Sequence, residues 1–380
     1  MTANASTGTT ITTFSSGALR VVQICGPYSK QFNITADIAN SERPAFEIVH
    51  EFARQNGATV LAQRAFGRSE LHAGLARFPE EALSGGNWPV TWLQGYEQNG
   101  ANPITAQAMA ISGVVPEPIL LNGQTVGFVF EDEAARYCVL GNLCARDTSH
   151  SQIRQAREVF ETVESALQLA ELGFSHVVRT WFYLDDILSW YDGFNRVRTQ
   201  FFEERHIFEG LVPASTGVGS ANALGAALVA DVLAVKRKSD NVRVREVRSP
   251  LQCASAQYGS SFSRAVEIVS PYRCDLYISG TASIDADGIT AYRGDVEEQI
   301  GLTMRVVEAI LKSRGMGWVD VTKGVAYFRN NAEKGLIDRY CNEGGLPHLP
   351  IAAVAPFELC RSDLLFEIEV DAVSGFGQHV

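Results

Sequence analysis

Two short strands decide the fold of this chain: RYCVLG at residues 136–141 and LYISG at residues 276–280, each ending at a glycine. A long helix follows each strand, over residues 152–172 in the first case and from about residue 296 to 313 in the second. In the first helix, apolar residues recur at i, i+3 and i+4 spacings, which is typical of an amphipathic helix packed on a sheet. The same elements in the same order indicate an internal repeat.

The two copies continue in step after their first helix. Each has a second strand, a second helix and a closing strand, predicted at 176–184, about 187–205 and 226–235 in the first copy, and at about 321–328, about 332–342 and 364–370 in the second. Gly280 follows Gly141 by 139 positions, and Val373 follows Val235 by 138. We therefore predict an α+β protein with two copies of one unit.

The repeat divides the chain into five parts. Residues 1–16 are rich in Thr, Ser and Ala, and we expect them to be poorly ordered. Residues 17–135 are irregular and form either a degenerate further copy or a cap. The two units span 136–237 and 276–376, and a charged connection, 238–275, lies between them and is expected to add a strand and part of a groove wall.

Composition excludes several classes of function. The 380 residues carry 43 acidic and 32 basic side chains, a formal charge of −11, so we expect no nucleic-acid partner. Seven cysteines without a CxxC pair predict neither a disulfide framework nor a zinc site, and no His pattern specifies a metal. We find no export signal and no long apolar run, so we expect a cytoplasmic protein that binds no membrane.

The order of elements resembles the RidA/YjgF family. The second copy carries the resemblance through Ile278-Ser279-Gly280, GDVEEQ at residues 294–299 and FEIE at residues 366–369. This resemblance implies a mixed sheet covered by two helices, the chorismate mutase-like fold, in each unit. The family's imine deaminases hold a substrate carboxylate with an arginine that falls here at Ala352, which argues against deaminase activity.

Two such units behind an irregular N-terminal region resemble the chorismatases, which release pyruvate from chorismate. The matching motifs are RTWFY at 179–183, PASTGVG at 213–219, YG at 258–259 with FSRA at 262–265, ISGTA at 278–282 and RSDLLFEIE at 361–369. The resemblance implies chorismate as the small-molecule substrate and no cofactor.

Glu367 is the predicted general acid. It interrupts an apolar strand, and a carboxylic acid can protonate an enol ether only if burial raises its pKa. The equivalent position of the first copy is Val229, so the fold does not require an acid there. Strand alternation places Glu369 on the same face and leaves the choice between the two open, and the resemblance favours Glu367.

The resemblance divides chorismatases into two branches by their product. A hydrolytic branch carries alanine at two positions where the 3-hydroxybenzoate-forming branch carries glycine and cysteine. This chain has Gly280 and Cys360 there, so we predict 3-hydroxybenzoate synthesis for secondary metabolism, with the hydrolytic reaction as the alternative. A glycine makes room for a shifted substrate, and a thiol can relay a proton.

Arginine, tyrosine and backbone donors are the candidates for substrate binding. Guanidinium groups hold carboxylates in bidentate geometry, and Arg264 and Arg361 are the preferred pair. The remaining candidates are Arg136, Arg179, Arg329, Tyr183, Tyr258, Tyr327, Thr216 and Gly217.

Two further interpretations stay open at this stage: a non-catalytic binder of a small carboxylate, and an imine deaminase. We favour a monomer, with the trimer usual for RidA units as the alternative.

Overall fold

The structure, a computed structural model, describes residues 9–16, 19–37, 45–67, 87–94 and 105–375. These residues form three mixed six-stranded sheets with helices packed on them, so the predicted α+β fold class is confirmed. No helix in these ranges is long and apolar enough to cross a lipid bilayer.

The first sheet lies in the N-terminal region. It comprises β1 (Thr10–Ser16), β2 (Leu19–Cys25), β3 (Lys30–Asp37), β4 (Thr59–Gly67), β5 (Val90–Gln94) and β6 (Thr105–Ser112), with α1 (Ala45–Gln55) between β3 and β4. Its strand order is β1-β2-β3-β6-β4-β5, in which β5 runs parallel to β4 and the other neighbours are antiparallel.

The second sheet has the same strand order and directions. It comprises β7 (Glu117–Leu121), β8 (Gln124–Glu131), β9 (Ala135–Cys144), β10 (Val177–Leu184), β11 (Ala214–Gly219) and β12 (Leu228–Arg237), with α2 (Gln152–Leu169) and α3 (Ile187–Glu204). The buried residues of α2 are those that define its predicted apolar face, among them Ala156, Val159, Val163 and Leu167.

The third sheet repeats the pattern once more. It comprises β13 (Arg243–Val247), β14 (Ala265–Val269), β15 (Arg273–Ala282), β16 (Val321–Phe328), β17 (Ile351–Val354) and β18 (Phe366–Gly375), with α4 (Val296–Lys312) and α5 (Leu336–Glu343). The predicted bounds of its long helix and of its strand at 321–328 differ from these by at most one residue.

Three sequence-based expectations differ from the structure. The N-terminal region is more regular than its sequence indicated, because its sheet has the strand order of the other two. Residues 10–16 form β1, paired along its whole length with β2, rather than a poorly ordered tail, and residues 1–8 lie outside the described residues. Strands β13 and β14 lie in the predicted connection 238–275, so the third sheet begins before residue 276.

Strand pairing confirms the equivalence of Glu367 and Val229 that the repeat predicted, but it places Asn142, and not Gly141, at the position of Gly280. Glu367 pairs with Ala282 and Tyr327 in the third sheet. Val229 pairs with Cys144 and Tyr183 in the second sheet. The two residues therefore occupy the same place in their units, and only the third unit has an acid there.

A buried ion-pair network joins all three sheets. Arg64 of the first sheet donates to Asp231 of the second at 2.8 Å and to Glu369 of the third at 3.2 Å. Arg179 of the second sheet also donates to Glu369, at 2.9 Å. The ring of Trp181 is in contact with both guanidinium groups: its centroid lies 4.0 Å from Cζ of Arg64 and 4.6 Å from Cζ of Arg179. Because these charges are buried, each depends on its partners.

We expect Arg64→Met to lower the free energy of unfolding by about 3–5 kcal/mol, because it leaves two buried carboxylates short of a cation. Equilibrium urea unfolding measures the change. The control is Arg154→Met, which breaks an exposed i,i+4 pair with Glu158 and should cost less than about 1 kcal/mol. Equal losses in the two variants would contradict a supporting role for the network.

Candidate active site

Glu367 lies inside the protein, on the central strand β18 of the third sheet. Only 4% of the residue is exposed. Its carboxyl group forms no ion pair within the described part of the chain. Burial raises the pKa of Glu367 to about 8, the negative charge of Glu369 adds to this rise, and the positive charges of Arg179 and Arg264 oppose it. The carboxyl group is therefore mainly protonated at pH 7 and can donate a proton.

Glu369 has a different environment two residues further along the same strand. Both its carboxylate oxygens accept hydrogen bonds from guanidinium groups, one from Arg64 and one from Arg179. This carboxylate is committed to the junction of the three sheets. The geometry thus separates the two glutamates, which alternation alone did not, and it favours Glu367 as the acid.

Gly280 makes room for the Glu367 carboxyl group. It lies in β15, where the pairing with β18 shifts register between Ile278 and Thr281. A Cβ at this position would overlap with Oε1 of Glu367 and lie 3.2 Å from Cγ2 of Thr216. The backbone N–H of Gly280 donates to the hydroxyl of Thr216 at 3.0 Å, which fixes the strand against the second sheet.

Glu367 lines a pocket of about 150 Å³ between the second and third sheets. The second unit contributes residues of α3 and β11, and the third contributes residues of β15, of β18 and of the two segments that precede β14 and β18. The lining residues are Tyr191, Asp192, Asn195, Arg198, Ser215, Gly217, Tyr258, Ser260, Phe262, Arg264, Gly280, Ala282, Ile284, Cys360, Arg361 and Glu367.

Three arginines give this pocket a positive charge. Within the described residues, Arg198, Arg264 and Arg361 form no ion pair, unlike the buried Arg64 and Arg179. Arg264 donates to the Cys253 carbonyl oxygen at 3.0 Å, and Arg361 donates to that of Gly288 at 2.9 Å. These bonds occupy one side of each guanidinium group, and the rest is free to bind an anion.

Arg198 is the least satisfied of the three. It is 2% exposed, and its Nη2 donates to Oδ1 of Asn195 at 2.6 Å, while its Nε has no partner. Burial lowers its pKa, since the charged form loses water without gaining a carboxylate. A buried cation of this kind is a strong candidate for holding a carboxylate of the substrate.

Tyr258 lines the pocket from the short 3-10 helix Ser255–Tyr258. The Cζ atoms of Arg264 and Arg361 lie 5.3 and 5.4 Å from the centroid of its ring. Gly259 follows with a φ of 79°, a left-handed conformation that favours glycine and ends the helix. The tyrosine ring is thus in contact with the same two arginines that line the site.

Cys360 lies in the wall of the pocket that Glu367 also lines. Burial raises the pKa of its thiol to about 12, and the nearby Glu367 carboxyl group adds to the rise. The side chain is therefore a neutral thiol at physiological pH. It can relay a proton through a hydrogen bond, but it is not a ready base.

Seven of the eleven predicted site residues line the pocket: Glu367, Cys360, Gly280, Arg264, Arg361, Tyr258 and Gly217. Thr216 lies directly behind it, where its hydroxyl accepts from the Gly280 N–H and from Arg179. Thr216 therefore positions the wall of the pocket and does not face its interior.

The prediction of substrate contacts was wrong for Arg179, Tyr183 and Tyr327, which do not line the pocket. Arg179 is fully buried and bound to Glu369. The two tyrosines are fully buried in the apolar core, where Tyr327 packs edge-on against Phe357. Of the remaining arginine candidates, Arg136 pairs with Glu131 near the surface, and Arg329 donates to the carbonyl of Arg361.

Four of the lining residues that sequence reasoning missed lie on α3: Tyr191, Asp192, Asn195 and Arg198. One signal for Arg198 was present. It follows Phe194 by four positions and precedes Phe202 by four, so it interrupts the apolar face of an amphipathic helix. A charged residue there must be buried beside other polar groups.

No group of three or more metal-ligating side chains is arranged to hold an ion within the described ranges.

Two family models match the chain. The model described as chorismatase FkbO/Hyg5-like, N-terminal, matches residues 123–234, and the model described as endoribonuclease L-PSP matches residues 256–374. Each model covers less than a third of the chain, so the chain is similar to the chorismatases over one segment and to the L-PSP proteins over the other. The two matches fall on the second and third sheets, whose units enclose the pocket.

One solved structure has the same fold over most of the chain. A chorismatase crystal structure at 1.08 Å resolution superposes with a TM-score of 0.62 at 18% identity, over 90% of this chain and 98% of that one. A putative endoribonuclease L-PSP from Entamoeba histolytica gives a TM-score of 0.28 at 22% identity, over 35% of this chain and all of that one. YjgF from E. coli gives 0.28 at 18% identity, over 34% and 98%. None of the curated proteins compared with the chain matches it.

We expect Gly280→Ala to displace the Glu367 carboxyl group and to cost about 1–3 kcal/mol of stability, because the added methyl group overlaps with Oε1. Crystal structures of the wild type and the variant in one crystal form check the displacement, and urea unfolding checks the stability. Gly335→Ala is the matched control, since nothing lies within 4 Å of its added Cβ. An unmoved Glu367 carboxyl group would contradict the steric account.

Proposed function

We propose that this protein is a chorismatase that converts chorismate to 3-hydroxybenzoate and pyruvate, with Glu367 as the general acid. One observation carries the proposal: a carboxyl group kept protonated by burial shares a pocket with three arginines that have no acidic partner in the described residues. A dicarboxylate substrate with an acid-labile enol ether needs this combination.

The charges of the pocket complement those of chorismate. The substrate brings two carboxylates, and the pocket offers the free donors of Arg198 and Arg264, which are contributed by different units. Ala282 and Ile284 provide an apolar surface for the ring. Binding two carboxylates also offsets the repulsion among the three guanidinium groups.

The first step is proton transfer from the Glu367 carboxyl group to the enolpyruvyl methylene carbon. The transfer turns the methylene into a methyl group and leaves an oxocarbenium ion next to the ether oxygen. The ring C3–O bond then breaks, its electron pair stays on the oxygen, and the side chain leaves as pyruvate. Glu367 becomes a carboxylate that the nearby positive charges stabilise.

In the 3-hydroxybenzoate branch, the oxygen of the C4 hydroxyl group forms the new bond to C3. The hydroxyl proton returns to Glu367, directly or through Cys360, and an arene oxide results. Opening of the C4–O bond with loss of the C3 proton gives the aromatic product. No water is consumed, and the two products together contain every atom of chorismate. Gly280 and Cys360 support this branch, in which the substrate's own hydroxyl group is the nucleophile.

In the hydrolytic alternative, water supplies the oxygen and the product is a dihydroxycyclohexadiene carboxylate. A non-catalytic binder would bind chorismate without turnover. A deaminase would need a replacement for the arginine at position 352, where the structure places a buried alanine on β17.

We expect Glu367→Gln to reduce kcat/KM for chorismate by about 10²–10⁴-fold, because the amide cannot donate a proton of comparable acidity.

For the wild type, kcat/KM should be constant at low pH and fall tenfold per pH unit above about pH 8, since only the protonated acid is active and its pKa is raised to about 8. Pyruvate release measured against pH checks both. The control is Glu358→Gln, which changes an exposed glutamate in the segment between β17 and β18.

Mass analysis of the aromatic product in H₂¹⁸O separates the branches. Unlabelled 3-hydroxybenzoate supports the proposal, and a diene product that contains ¹⁸O assigns the hydrolytic branch instead. Absence of both products and of pyruvate would remove the chorismatase proposal.

A further inference from the structure

A basic groove lies outside the pocket, at the joint between the second and third units. We define it by His176, Lys236, Arg237, Lys238, Arg243 and Arg245. It is open to solvent and has a volume of about 680 Å³. It shares no lining residue with the pocket around Glu367.

The density of positive charge in the groove contrasts with the rest of the chain. Residues 236–248 contain six of the 32 basic side chains and only two acidic ones, although the formal charge of the whole protein is −11. The net charge therefore gives no reason for such a cluster. Like charges so close together repel each other unless an anion lies among them.

Three of these cations form no ion pair in the part of the chain that the structure describes. The Arg243 side chain is exposed and makes no hydrogen bond there either. Lys236 donates to the Glu171 carbonyl oxygen and Arg237 to that of Val242, both at 3.2 Å. These neutral acceptors leave the charges uncompensated.

The other groups hold the groove in shape. Lys238 pairs with Glu131 and also donates to the Asp132 carbonyl oxygen at 2.8 Å, and Arg245 pairs with Glu267. The bond from Arg237 to Val242 closes the turn between β12 and β13. Lys238, Arg245 and the turn that Arg237 closes are thus held in place before any ligand binds, which lowers the entropic cost of binding.

His176 adds a neutral donor to the wall. Its Nδ1 accepts a hydrogen bond from the backbone N–H of Gly173 at 3.0 Å, so the ring proton is on Nε2. With Ser175 and Ser239 nearby, the groove offers many donors, and Asp240 is the one carboxylate among its lining residues. Such a lining suits an anion with several oxygens in a compact arrangement.

We propose that the basic groove is a binding site for a small soluble polyanion that carries two or more phosphate groups. A concave, rigid surface with separated cations favours a compact multivalent anion over a single carboxylate. The groove is separate from the pocket proposed for chorismate, because the two share no lining residue. The ligand would be held through Arg237, Arg243 and Lys236.

Isothermal titration calorimetry with inorganic pyrophosphate at low ionic strength tests the site. We expect binding to the wild type, and binding at least about tenfold weaker to Arg237→Ala/Arg243→Ala, since each substitution removes a charge-assisted contact. Arg305→Ala removes an exposed arginine of α4 and should bind like the wild type. Circular dichroism and chorismate turnover confirm that the double variant is folded.

Arg198→Met separates the groove from the pocket, since pyrophosphate could also bind to the arginines beside Glu367. This variant should retain pyrophosphate binding if the groove is the site. Three outcomes would overturn the proposal: equal binding to the wild type and the double variant, loss of binding in Arg198→Met, or binding only to vesicles that carry phosphoinositide headgroups. The result does not depend on whether the protein acts on chorismate.

Discussion

The fold and the site both depend on the buried pairing of Glu369 with Arg64 and Arg179. These three side chains come from three different sheets, and their charges are satisfied only when the sheets meet. The pairing also commits the cations of the junction to Glu369. Glu367, two residues away, is left in a buried position without an ion pair, and burial therefore raises its pKa. One strand thus carries a carboxylate that stabilises the fold and a protonated carboxyl group that is available for chemistry.

The three sheets share one strand order but not one set of functional residues. In the second sheet, Val229 occupies the position of Glu367, and Asn142 occupies that of Gly280. The backbone N–H of Asn142 donates to the hydroxyl of Thr91, and the backbone N–H of Gly280 donates in the same way to the hydroxyl of Thr216. The contact that joins neighbouring units is therefore repeated, while the acid is not. The junction between the second and third units can therefore hold the proposed acid, while the equivalent junction between the first and second units has no acid at that position.

The sequence predicted the repeat, the helices and the position of Glu367, because apolar periodicity and an acid in an apolar strand are local signals. It did not predict the roles of Arg179, Tyr183 and Tyr327, since burial against another sheet is a long-range property. The fold of residues 17–135 was also hidden, because their strands are separated by Gly- and Asn-rich spans that carry no periodic pattern. Arg198 was missed because the pocket that it lines is completed by residues of the third unit, far from it in the sequence.

The central claim is that Glu367 is protonated at neutral pH. Infrared difference spectroscopy between the wild type and Glu367→Gln, followed across pH, measures this carboxyl group directly through the C=O stretch of its protonated form. The account predicts that the band is present at pH 6 and disappears with a midpoint near pH 8. A midpoint near the ordinary value for glutamate, about 4.3, would contradict it.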